Sequence, residues 1–394
     1  MKIKAAKCDL EAALTVVNPS MAGTGGDLTT HYLFRKHKDD GKAEVLTYSG
    51  RIYAGCPFVA EVELDDEDGA VNAFTIEGKR LRSWLGAVPD AALSFAFDQK
   101  TKKVKAKAPN GTQTFQSLDP DNFPYWDDRL KEAEEAATFP AHRLHAALNY
   151  ARLFASVDES RTPELCVCEV RDGGMAATNK VSAVVIQMPG FKDASLRVHV
   201  KDAATILSFL GTIGTGDVVA HTHDRCVFFV RADGAIQVEG RLIVDFPNFK
   251  APTGDDQRSW TVKVSDLKNC IAFLTSGAAW EDNRLHFTRP DSDGPVVVSM
   301  LNTTGTRTKY EVGCPESGEG ENVPDLPADG FVLAHEPLTK MLDACEEDTI
   351  RLGVNVRGQQ AGGYLRYVSE RFGVEGDAEA VEPDTYLTLL PWLK

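Results

Sequence analysis

Apolar residues recur along this chain at two spacings, and the spacings alternate in a fixed order. Leu10, Ala13, Leu14 and Val17 stand at i, i+3, i+4 and i+7, which predicts an amphipathic helix over residues 9–17. The same stripe returns at Leu144, Ala147, Leu148 and Ala151, and again at Leu267, Cys270, Ile271 and Leu274. A second set of short stripes lies further along each stretch: Leu81, Trp84 and Leu85; Ala203, Ile206, Leu207 and Leu210; Leu338, Met341, Leu342 and Cys345. Strand-like alternation fills the intervals and predicts strands at 2–6, 31–34, 43–48, 58–64, 73–76, 92–97 and 103–107 in the first third. Comparable runs follow at 165–170, 175–178, 183–187, 196–200, 217–221, 226–231 and 235–239, and at 260–264, 284–288, 296–300, 308–312, 331–334, 349–354, 363–368 and 385–389. Each series closes on an apolar-proline pair: Phe123-Pro124, Phe246-Pro247 and Leu390-Pro391.

The chain therefore restarts twice. A repeat of about 120 to 145 residues is far longer than a solenoid repeat and implies duplication of a whole domain. The expected domains are 1–126, 138–250 and 259–394, each an α+β unit with two helices on one side of antiparallel sheet. The charged stretch 127–137 reads as a solvated connector, and the Pro/Gly/Glu-rich segment 314–330 as an insertion without an assigned role. Pro140 opens the first helix of the second domain, Ser265 or Asp266 caps that of the third, and Gly211 stops the second helix of the middle one.

Composition narrows the function. With 394 residues, 43% hydrophobic and 26% charged, the chain is globular and large enough for several cores. No apolar run approaches the roughly 20 residues of a membrane span, and the beginning lacks a secretory apolar segment, so a cytoplasmic location is expected. The eight cysteines have no regular spacing; Cys166 and Cys168 share one face of a strand, and reduced, buried thiols are the expected state. A net charge of −15 argues against a protein that coats nucleic acid with its whole surface. Any such contact must be local, and the polar sides of the predicted helices supply candidates: Lys79, Arg80 and Arg82, Arg143 and Arg152, Lys201, Lys268 and Lys340.

In its threefold plan the whole chain resembles the bacterial-type DNA sliding clamp, the beta subunit of the replicative DNA polymerase. Local matches carry the resemblance: residues 140–161 (PAHRLHAALNYARLFASVDESR), 176–179 (AATN), 198–203 (VHVKDA), 245–248 (DFPN) and the terminal LPWLK. The resemblance implies three tandem clamp-type domains, sheets outside and helices inside, closing head to tail as a homodimeric ring around duplex DNA. It implies a non-catalytic processivity factor, without cofactor, that tethers the replicative polymerase, the clamp loader and other clients through a peptide-binding pocket between the second and third domains. Position by position, that pocket falls on Thr178, Pro247, Leu390, Pro391 and Trp392, with Leu165 and Leu393 as neighbours. Thr178 is followed by Asn179, Lys180, Val181, Ser182 and Ala183 where the family has Asp-Gly-His-Arg-Leu, and the tail lacks the customary Met. Such departures fit a divergent member, phage-encoded ones included.

Two rival readings start from the same residues. His142 and His145 on a helix, with His221, His223 and Asp224 on a strand and its turn, have spacings a metal could use, but no Glu neighbours the first pair and nothing joins the pairs. No nucleophile elbow, phosphate loop or dinucleotide fingerprint accompanies them. A clamp-shaped decoy that holds clients without encircling DNA is the other alternative.

Overall fold

The computed structural model describes all residues except 24–26, 65–71, 172, 180–181, 189–194, 225, 241–245, 248–256, 277–283, 290–294, 302, 304, 313–329, 346, 358–359, 369–383 and 390–394. In chain order the first elements are β1 (Lys2–Ala6), α1 (Lys7–Val17), β2 (His31–Lys36), β3 (Lys42–Tyr48), β4 (Tyr53–Val59), β5 (Glu61–Glu63), β6 (Ala73–Glu77), α2 (Gly78–Ala87), β7 (Ala92–Asp98), β8 (Lys103–Ala108), β9 (Gly111–Gln116), α3 (Asp127–Lys131), β10 (Glu134–Pro140) and α4 (Ala141–Ala151). Next come β11 (Val167–Arg171), β12 (Gly174–Thr178), β13 (Ser182–Gln187), β14 (Leu196–His199), α5 (Ala203–Gly211), β15 (Asp217–His223), β16 (Cys226–Arg231) and β17 (Ile236–Gly240). The last third holds β18 (Gln257–Lys263), α6 (Val264–Thr275), β19 (Arg284–Thr288), β20 (Val296–Leu301), β21 (Arg307–Val312), β22 (Phe331–Ala334), α7 (His335–Ala344), β23 (Thr349–Arg357), β24 (Gln360–Val368) and β25 (Asp384–Leu389). No helix among the described residues is long and apolar enough to cross a membrane.

The elements gather into two compact units, one of residues 1–145 and 202–243, the other of residues 146–201 and 244–394. The first holds a five-stranded sheet, β5-β1-β7-β8-β9, and an eight-stranded sheet, β10-β15-β16-β17-β4-β3-β2-β6. The second holds a four-stranded sheet, β21-β20-β19-β22, and an eight-stranded sheet, β14-β11-β12-β13-β25-β24-β23-β18. All the pairings given by register are antiparallel, so the α+β class expected from the sequence is the one observed. Strands of the middle third enter both large sheets: β17 joins β4 through Ile236 opposite Gly55, and β13 joins β25 through Ser182 opposite Leu389.

In the first unit, Leu10, Ala13, Leu14 and Val17 of α1 are buried, as their spacing predicts, and the helix packs on β4 and β3. Phe34 stacks on Phe74 at 5.2 Å within one sheet and on Phe95 of the other at 6.0 Å, which locks the two sheets face to face. β4 begins earlier than the alternation suggested, because Gly55, Cys56 and Pro57 interrupt the pattern. The β17 ladder ends at Gly55, so the missing N–H of Pro57 falls beyond it. Gly55 itself is required: a Cβ there would stand 2.9 Å from Leu46 Cδ2 and 3.2 Å from the Trp126 ring.

Three readings need correction. The stretch 127–137 is solvated but is not an irregular connector: Leu130 of α3 and Ala133 just after it pack, half-buried, against a core containing Phe123, Trp126, Phe228 and Val238, and β10 pairs with β15. Its charges hid this because the partner of Asp127 lies 92 positions earlier in the chain. Arg35 donates from both terminal nitrogens to Asp127, at 2.7 and 2.8 Å, and from Nε to buried Glu44 at 2.8 Å, while its guanidinium lies 5.4 Å from the Tyr125 ring centroid. Burial pushes the Glu44 carboxyl above its ordinary range; Asp127, despite its own desolvation, is held below by the Arg35 hydrogen bonds. β9 was missed since only Phe115 among its six residues is buried. Neither Ser265 nor Asp266 caps α6, which starts at Val264 with Lys263 in the capping position and no side-chain cap.

Arg35→Met leaves Glu44 buried without its cation and should cost about 3 kcal/mol in urea unfolding. Adding Glu44→Leu should recover most of that loss.

Candidate functional site

Four neighbouring strands of the second unit end together. β12 finishes at Thr178, β13 starts at Ser182, and β25 finishes at Leu389, opposite Ser182. Continuing the β11–β12 register by two residues brings Val167 level with Thr178, so Leu165 lies just beyond the same end. Leu165 closes a short 3-10 turn, Pro163–Leu165, rather than opening a strand, and is buried. Thr178 is buried too, its Oγ1 donating to the Ser182 carbonyl at 2.8 Å. Asn179 Oδ1 accepts from the Ser182 backbone N–H at 2.8 Å and from its hydroxyl at 3.1 Å, which shapes the turn where the family sequence differs. Phe246 is buried and Pro247 exposed. Leu390, Pro391, Trp392 and Leu393 lie outside the described residues, as does the insertion up to residue 329. Leu389, the last described residue of β25, stands at the edge of this group.

The helix cations are not equivalent. Lys79 and Lys340 are exposed and Arg143 is half-buried, none with an ion pair among the described residues. Arg80 pairs with Glu77 at 2.8 Å, Arg82 donates to Asn18 Oδ1 at 2.6 Å, and Lys268 approaches Asp343 at 3.7 Å. Lys201 precedes α5 instead of lying on it, and its Nζ is 2.9 Å from Glu159. Arg152 sits one residue past α4, half-buried, with Nε enclosed and without a hydrogen-bond partner. Beside it, burial pushes the Cys168 thiol up to about 12.

His142 is exposed, while His223 Nε2 faces Glu132 at 3.3 Å. Among the described residues no group of three or more His, Cys, Asp or Glu side chains is placed to hold a metal ion. Sequence reasoning passed over Glu159, whose two partners, His199 and Lys201, lie some 40 residues away and leave no local signal.

These antiparallel sheets and paired helices define a known architecture. No protein-family model and no curated protein matches the chain by sequence. Solved structures match over its whole length. The DNA polymerase sliding clamp from Caulobacter crescentus aligns with a TM-score of 0.76 at 14% identity, covering 100% of both chains. The clamp from Bacillus subtilis aligns at 0.75 and 13%, covering 100% of this chain and 99% of that one. The DNA polymerase III subunit beta from Pseudomonas aeruginosa gives 0.75 and 12%, covering 99% of each. The chain thus has the fold of the bacterial DNA polymerase III beta sliding clamps.

Arg152→Met removes an enclosed nitrogen without a partner and keeps the volume. Thermal unfolding should show it neutral, or stabilising by up to about 1 kcal/mol.

Proposed function

We propose that this chain is a DNA sliding clamp: a non-catalytic processivity factor of three clamp-type domains that closes head to tail as a homodimer around duplex DNA. The observation that carries the proposal is the clamp fold over the entire chain, at 12–14% identity to several bacterial clamps. Encirclement explains how a molecule with net charge −15 can stay on DNA. A topological link needs only weak, sequence-independent phosphate contacts, and Lys79, Arg143 and Lys340 are helix cations without an ion pair among the described residues. The location would be the cytoplasm, beside the replicative polymerase and clamp loader.

The seam fits open sheet edges. β9 ends the five-stranded sheet and β21 ends the four-stranded one. Next to β21, Phe273 of α6 is 53% exposed and packs on Tyr310 at 5.4 Å, an apolar surface that a partner's β9 edge would cover. Clients would dock at the strand ends around Leu165 and Thr178, with Pro247 and the Leu390–Leu393 tail completing the pocket. Burying one or two large client side chains there would contribute roughly 1.5 to 3 kcal/mol each.

The test is retention on DNA. Loaded onto nicked circular duplex, the protein should stay bound at high salt and leave when the circle is cut; release unaffected by cutting would point to the decoy reading instead. Phe273→Asp should weaken the dimer by at least about tenfold in sedimentation equilibrium, and an unchanged constant would remove this seam.

A further inference from the structure

The segment from Ser156 to Leu165 is a closed loop. The Ser156 N–H donates to the Leu165 carbonyl at 2.9 Å, and the Ser156 and Thr162 hydroxyls lie 2.7 Å apart. Inside it, Asp158 Oδ1 accepts the backbone N–H groups of Ser160 and Arg161 at 3.1 and 3.3 Å, and the Thr162 N–H reaches the Asp158 carbonyl at 3.0 Å. A loop so cross-braced moves as one piece, so whatever holds its far side also sets the position of Leu165.

Glu159 is that hold. One of its carboxylate oxygens lies 2.8 Å from His199 Nε2 and the other 2.9 Å from Lys201 Nζ. His199 is itself fixed: it is 2% exposed, stands on β14 opposite Val167, and its Nδ1 accepts the Lys201 backbone N–H at 3.1 Å. With Nδ1 accepting, the ring proton sits on Nε2 and points at Glu159. A buried, oriented donor and a flexible cation therefore share one carboxylate, at the sheet end that carries Leu165 and Thr178.

We propose that Glu159 is a positioning residue of the client pocket, and that Lys201 serves it by holding the loop rather than by meeting DNA. This rests on the reading of Leu165 as a pocket wall. Removing either charge frees the far side of the loop while leaving its internal bonds, and Leu165 loses its fixed seat against the strand ends. Specificity for apolar client side chains then falls without a change in ring assembly.

The experiment uses the full-length protein and a short fluorescein-labelled peptide ending in Leu-Phe. Leu165→Ala first establishes the pocket by weakening the peptide about tenfold; peptide affinity equal to wild type there overturns both the pocket and this proposal. Glu159→Gln and Lys201→Gln should then weaken the peptide about three- to tenfold with thermal midpoints unchanged. Lys201→Arg, which can still reach Glu159, should restore wild-type affinity, a rescue that a general loss of stability would not show. Affinity of Lys201→Gln for a short duplex, measured across salt concentrations, should match wild type. If Lys201→Gln instead flattens the salt dependence of duplex binding and leaves the peptide unaffected while Leu165→Ala weakens it, Lys201 is a DNA contact and the positioning role alone is lost.

Discussion

Two hydrogen-bond ladders between strands far apart in sequence govern this architecture: β17 on β4, and β13 on β25. An antiparallel pair satisfies backbone groups that would otherwise be buried unpaired or left open at a sheet edge. Because side chains alternate with a period of two, a slip of one residue in either ladder would turn a whole strand's apolar set to the wrong side. Everything packed on these sheets inherits their register. The positions of Thr178, Leu389 and Val167 are all consequences of one pairing scheme in the second unit.

In the first unit, the corresponding ladder is guarded by an aromatic and ionic cluster. Trp126 and Phe123 fill the space beside Leu33, Leu46 and Val238, and Gly55 leaves room for the indole. Arg35 then ties the start of α3 to the sheet through Asp127 while neutralising buried Glu44. The segment keeps its charged side chains in solvent or paired while its few apolar residues, half-buried Leu130 and Ala133, face the same core.

Charge in this chain is distributed by partner, not by residue type. Arg80, Lys201 and Lys268 each meet a carboxylate, whereas Lys79, Arg143 and Lys340 meet none among the described residues. A proposed ring around DNA needs only a few uncommitted cations, since closure and not affinity retains the duplex. The paired ones are available for internal work, and the Glu159 clamp is such a use.

Periodicity is a local property, so the sequence alone determined the helices, most strands and the threefold order of elements: Leu10, Leu14 and Val17, or Leu267, Ile271 and Leu274, are buried because their spacing allows no other face inward. Leu165 and Thr178 enter the proposed pocket through resemblance and not through any chemistry visible in those residues. The tertiary structure decided what depends on partners distant in the chain. β9 is a strand because β8 pairs with it, despite its polar side chains. The acidic stretch after Trp126 became helix and strand because Arg35 and β15 were waiting for it. Lys201, one of a set of apparently similar helix cations, was separated from the others by a carboxylate 42 positions earlier, a choice that register and folding of the loop make and that no window along the chain contains.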